Sequence, residues 1–307
     1  MNRPFRLSLP HGKNFGRLCI LLAAIMWSTN GLFVKSMVFA DWPADVRGTL
    51  LAFWRALFAG ALLLPAVRKP RWDPRLIPMA LSFTLMNVTF LQSMTLTTAA
   101  NAIWLQSTAP LWVFLVGLVV YRSIREPRDL GPVIFGLAGA ALIIFCELRA
   151  NDSHSAEGRS HDMGVLLGLA SGVFYAGVVV FMRRLREHGG AFLVAVNHLA
   201  AAALLAPYVI YIGQSVSLHQ WPVLAAFGFF QMGIPYLLFA RGLREISSQE
   251  GAGIALIEPV LTPLWVFIGP SGEAPAPWTI GGAALILFGL AWRYLRAAKE
   301  AEPPVIS

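Results

Sequence analysis

The chain has 307 residues, of which 57% are hydrophobic and only 13% are charged. A water-soluble domain carries about 25% charged residues, so there is too little polar surface here to cover a soluble body of this size. The formal net charge is +8, but the basic residues sit in short clusters between apolar runs rather than in the patch or stripe of a nucleic-acid binder.

A membrane span needs about 20 mostly apolar residues to cross a hydrocarbon core of about 30 Å. Ten stretches of the sequence qualify. In chain order they are Leu18 to Val38, Leu50 to Val67, Leu76 to Met94, Ala102 to Tyr121 and Leu130 to Cys146. After a polar break come Met163 to Met182, Phe192 to Ile212, Val223 to Ala240, Gly251 to Gly269 and Trp278 to Leu295. Arg3, Arg6, Lys13 and Arg17 ahead of Cys19 to Trp27 resemble a signal peptide, but the apolar run continues through Leu32, Phe33 and Val34, which favours a retained span. The expected organisation is a tail over residues 1–15, a first five-helix repeat over 16–147, a polar linker over 148–161, a second repeat over 162–296 and a tail over 297–307. Cys19 and Cys146 lie in separate apolar runs and read as core residues rather than a bridge.

Orientation follows from the basic residues. If the N-terminus faces the cytoplasm, 19 of the 24 Lys and Arg fall on cytoplasmic segments, and only Arg47, Arg149 and Arg159 fall outside. Such a bias is the positive-inside pattern, and it predicts a multi-pass inner-membrane protein with both termini in the cytoplasm.

The two halves echo each other. Thr97 to Ala102 precedes a span with Pro110-Leu111-Trp112-Val113-Phe114, and Ile246 to Gly251 precedes a span with Pro259 and then Pro263-Leu264-Trp265-Val266-Phe267. Gly131 and Gly139 match Gly281 and Gly289 at an offset of 150. Each half holds an odd number of spans, so the second enters the membrane upside down relative to the first. Inverted repeats are a common plan for secondary transporters, with the substrate site near the midplane between the halves. The predicted fold is all-α: ten transmembrane helices as two inverted five-helix repeats.

On these residues the chain resembles the EamA-type proteins of the drug/metabolite transporter superfamily. The carriers are Trp27-Ser28 with Asn30-Gly31, Trp54-Arg55, Thr97 to Pro110, Phe239-Ala240 with Gly242-Leu243, Glu258-Pro259, Gly272-Glu273, and Gly281-Gly282 with Gly289. The first half has Arg125-Glu126 where the family often has Gly-Glu. The resemblance implies transport of amino acids, other metabolites or drugs.

Glu258 is the residue of most chemical interest, an acid midway along a span, where a charge costs about 2.5–3.5 kcal/mol unless it meets a partner or a cavity. Pro259 and Pro263 follow it, and Pro110 occupies the matching place in the first half. Each proline leaves a carbonyl without its helical donor. Trp27, Asn30, Gln92, Gln106 and Tyr236 are candidate cavity walls, although polar residues in spans also serve as interhelical bonds. Arg55 is a candidate charge partner, with snorkelling to the interface as the plainer reading. Asn197 and His198 come early in the seventh span, where a lone His reads as a hydrogen-bonded structural residue. Lys35, near the outer end of the first span, reads as a snorkeller, and Gly164, Gly168 and Gly172 as a packing ridge. The partners expected are a small-molecule substrate and the lipid bilayer, with room for a homodimer and no nucleic acid. No metal site or organic cofactor is implied. An intramembrane enzyme is disfavoured by the lack of clustered acids and histidines and of any H-E-x-x-H, nucleophile elbow or phosphate loop. A non-transporting receptor or assembly protein is the remaining alternative.

Overall fold

A computed structural model describes residues 12–67, 71–121, 130–151 and 154–300. Arg68, Lys69, Arg122, Arg125, Glu126 and Arg128, with most of both tails, lie outside the described residues. Ten helical segments follow one another: α1 (Lys13–Ser28, resuming as Asn30–Val34), α2 (Ala44–Leu63), α3 (Leu76–Leu96), α4 (Ala99–Gln106, resuming as Ala109–Tyr121) and α5 (Leu130–Ala150). The second half holds α6 (Ala156–Arg184), α7 (Gly190–Ile212), α8 (Gln220–Gly228, a π turn over Phe229–Gly233, then Ile234–Gly242), α9 (Ser248–Ala255, resuming as Ile257–Ile268) and α10 (Pro277–Glu300). Among the described residues nine of these are long and apolar enough to cross a bilayer, and the apolar part of α10, Pro277–Trp292, is shorter. The end of the bundle where α1 begins is called the N-terminal face, and the opposite end the far face.

The polar stretch read as a linker is largely helical. α5 runs on to Ala150, and α6 begins at Ala156. The Ser155 hydroxyl caps α6 by accepting from the Gly158 N–H at 2.9 Å, and Glu157 lies in the first turn. A cap and an acid at a helix N-terminus offset the low apolarity that made these residues look like loop.

The packing repeats with inverted sense. α1 packs on α8 as α6 packs on α3, and exchanging the halves turns one pair into the other. α2 with α7 and α5 with α10 are each exchanged into themselves. Local contacts obey the same rule. A Cβ on Gly16 would lie 2.7 Å from Glu245 Cβ; a Cβ on Gly164 would lie 2.9 Å from the Thr97 nitrogen. Gly164 and Glu245 are each 148 positions beyond Gly16 and Thr97. Where α5 crosses α10, a Cβ on Gly139 would come within 2.4 Å of the Gly282 carbonyl oxygen, and one on Gly282 within 2.6 Å of the Gly139 oxygen. Lipid tails are as apolar as leucine, so helices in a membrane gain from such close backbone approach rather than from hiding apolar surface.

Candidate functional site: a cavity between the halves

Four helices lose regular form beside one cavity. Pro110 has no N–H for the Gln106 carbonyl, and α4 breaks at Ser107 and Thr108. Pro259 has none for the Ala255 carbonyl, and α9 breaks at Leu256. In α1 the hydroxyls of Ser28 and Thr29 donate to the carbonyls of Ile25 and Met26, both at 2.7 Å, and the helix is interrupted at Thr29. In α8 the π turn carries Gln231, whose amide donates to the Trp27 carbonyl at 3.0 Å. π turns concentrate at functional sites. Irregular backbone at membrane depth is tolerated where protein or a water-filled cavity satisfies it.

The breaks surround a cavity of about 500 Å³, within the range of small-molecule sites. Its lining runs from Asn30, Phe90 and Ile103 at mid-bundle toward Val113, Arg183 and Ala252 on the N-terminal-face side. Glu258, Trp27, Asn30, Gln106, Tyr236, Arg55, Pro110 and Pro259 all line it. Gln92 and Pro263 do not. Gln92 donates to the Ala44 carbonyl at 2.7 Å and stitches α3 to the start of α2. Pro263 lies inside the second segment of α9, one turn beyond the break.

Charge in the cavity is divided. Arg55 is 2% exposed, so it does not snorkel. Its guanidinium donates to the Asn87 carbonyl oxygen and, at 3.5 Å, to that of Gln231, and lies 5.2 Å over the Phe227 ring. Asn87 is fixed in turn by donating to the Ala52 carbonyl at 3.1 Å. Among the described residues no hydrogen bond or ion pair reaches the Glu258 carboxylate; only its backbone oxygen is engaged, by Thr262. A cation held rigidly on one wall thus shares a cavity with a carboxylate that no protein group neutralises by contact.

The aromatic wall is built from Trp27, Tyr236 and Phe239. The Trp27 ring meets Tyr236 edge-on at 5.1 Å and Phe239 at 5.2 Å. Tyr236 also abuts His198 at 5.6 Å. Asn197, not singled out from sequence as a wall residue, lines the cavity too, whereas the His198 Nδ1–H beside it donates to the Val194 carbonyl at 2.9 Å. A polar pair early in a span carries no sequence mark of which member faces inward. Among the described residues no group of three His, Cys, Asp or Glu is arranged to hold a metal ion.

Fold and cavity together define a multi-pass helical membrane protein with a solute-sized chamber between two inverted halves. Residues 14–145 and 162–295 each match the EamA-like transporter family, and the chain belongs to that family. It is a membrane transporter and not an enzyme. An uncharacterized transporter of Archaeoglobus fulgidus is 26% identical over 288 residues, covering 91% of this chain and 97% of that one. The uncharacterized transporter YcbK of Bacillus subtilis is 27% identical over 203 residues, 62% of this chain and 63% of the relative. A solved crystal structure aligns with a TM-score of 0.61 at 21% identity, covering 95% of this chain and all of that one, which is a likeness of fold.

Proposed function

We propose that the protein is a secondary carrier that moves a small metabolite, an amino-acid-like solute or related compound, outward across the inner membrane by alternating access, with both termini in the cytoplasm. The observation that carries this reading is the free Glu258 carboxylate facing the same cavity as the fixed Arg55 guanidinium. A solute with a cationic group would neutralise Glu258, and an anionic group on it would meet Arg55. Binding energy then comes from two opposite charges that attract each other across the cavity without direct contact in the empty protein. The distribution of 19 of 24 basic residues supports the orientation, and the inverted halves supply two equivalent ways of closing the chamber. The chain has no phosphate loop, so a gradient drives the cycle.

The test is flux in proteoliposomes with labelled amino acids and related metabolites, comparing the parent with Glu258→Gln. Saturable, selective uptake by the parent, with loss of at least about ten-fold in a folded variant, is expected, since about 1.4 kcal/mol of lost binding or coupling is ten-fold. Equal flux in both proteins would remove Glu258 from the site. Non-saturable leak in the parent would overturn the carrier reading.

A further inference from the structure

Contacts that recur at both ends of an inverted repeat hold the frame and cannot distinguish one conformational state from the other. Contacts present at one end only report which end is closed. The Gly16–Glu245 and Gly164–Thr97 approaches belong to the first kind. Contacts of the second kind that join the broken helices α4 and α9 to each other are found at the far face; the N-terminal face has the more exposed Arg17–Glu250 pair at 2.6 Å, which joins the start of α1 to α9. At the far face the first segment of α4 (Ala99–Gln106) packs against the second segment of α9 (Ile257–Ile268). The inverted counterparts, Ala109–Tyr121 and Ser248–Ala255, do not pack on each other to a comparable extent, and Pro110, Val113, Ala252 and Ala255 line the cavity instead.

One ion pair ties off the packed end. Lys35 Nζ lies 2.7 Å from Glu273 Oε2 and donates to the Thr97 carbonyl at 2.7 Å. The other Glu273 oxygen accepts from the Ala99 N–H at 2.6 Å. The end of α1, the α9–α10 connection and the start of α4 therefore meet in one knot, with both side chains about a fifth exposed. Below it, Gly31 is so close to α9 that a Cβ would lie 2.4 Å from Val266 Cγ2. At the same offset of 148 that relates the recurring contacts, Lys35 corresponds to Arg183. Arg183 is exposed at the mouth of the cavity and, among the described residues, has no acid partner.

We propose that the Lys35–Glu273 pair, with its two bonds to the start of α4, is the far-face gate of the carrier, closed here and parted when the chamber opens to that side. This rests on the alternating-access reading above. The gate segments Asn30–Val34, Ala99–Gln106 and Ile257–Ile268 all start or end at the helix breaks that ring the cavity. Bending at those breaks would lift them without unpacking α3 from α6.

The experiment reads access rather than flux, so its failure and that of the carrier reading are separable. Cys19 and Cys146 are replaced by Ala, and Ser107→Cys places one thiol on the cavity wall. A membrane-impermeant maleimide is applied to intact cells and, separately, to inside-out vesicles. The parent is expected to label slowly in cells and fast in vesicles. Glu273→Gln and Lys35→Met are each expected to label about ten-fold faster in cells, because the far-open population rises as the closed end loses bonds. Their vesicle rate stays within about two-fold of the parent's, which also shows that they fold. Where one variant does not reach the membrane, the other carries the test. Unchanged labelling in cells from a folded variant, or fast labelling of the parent in cells, would overturn the proposal.

Discussion

Asn87→Ala isolates the clamp on Arg55. Asn87 accepts from the guanidinium and donates to the Ala52 carbonyl at 3.1 Å, and the change removes both bonds. A hydrogen bond to a charged group contributes about 1.5–3 kcal/mol and a neutral one about 0.5–1.5 kcal/mol. Interhelical bonds in membranes average nearer 0.6 kcal/mol, because the unfolded state in lipid finds other partners. Arg55 is 2% exposed and keeps the 3.5 Å contact to Gln231, the Phe227 ring and the longer-range attraction of Glu258. A stranded buried charge moves the cost to the upper part of the range, about 2–3 kcal/mol. The discriminating step is Arg55→Met in the same background. Removing the charge relieves its lack of partners, so the double variant is expected to regain about 1 kcal/mol or more of what Asn87→Ala lost. Equilibrium unfolding in mixed micelles measures both. If Asn87→Ala costs less than about 0.5 kcal/mol, or if Arg55→Met adds to the loss instead of recovering it, Asn87 is not the clamp and Arg55 is held by other means.

Gly139→Leu would force a side chain onto the Gly282 carbonyl, where even a Cβ has only 2.4 Å; a loss of about 1–3 kcal/mol or more is expected, read by thermal unfolding in detergent. Gln92→Leu leaves the cavity wall intact, so the apparent KM should stay within about two-fold while stability falls by about 1 kcal/mol. A larger rise in KM would return Gln92 to the site. Pro259→Ala restores the N–H that the Ala255 carbonyl lacks; a gain of up to about 1 kcal/mol in stability with at least about five-fold slower flux is expected, since a continuous α9 bends less readily. Faster or unchanged flux would show that the break is not used.

The span count, the inversion and the breaks at Pro110 and Pro259 were legible because each rests on local chemistry: runs long enough to cross lipid, clustered arginines, and prolines that cannot donate. Pro263 lies inside a continuous segment instead, and the interruptions of α1 and α8 had no such mark. Glu258, Arg55 and Trp27 stood out because a charge or large amphipathic ring in a span needs a reason. What remained hidden was which face each polar side chain takes. Gln92 and Gln106 look alike in sequence, yet one stitches α3 to α2 and the other lines the cavity. Asn87 gave no hint of its tie to Arg55, 32 positions away. Glu147, the last residue read into the first repeat, was not singled out, although it is 5% exposed and receives the Trp278 indole N–H at 2.9 Å with the His161 ring nitrogen at 2.8 Å. Bonds between residues 14 to 131 positions apart leave no periodic trace.

The π turn of α8 has a consequence for angular phase. A π turn holds one residue more than an α turn, and each residue advances an α-helix by about 100°. Every side chain of α8 beyond Gly233 is therefore turned by about that angle from where an unbroken helix would carry it. Tyr236 and Phe239 stand downstream of the extra residue, and their contacts with Trp27 depend on that rotation. A single-residue deletion within Phe229–Gly233 would let the turn close as α and leave the aromatic wall in nearly its present phase, whereas regularising the turn with the residue kept would swing the wall by about 100° around the helix axis. The identity of the wall is written in one inserted residue as much as in the aromatic side chains themselves.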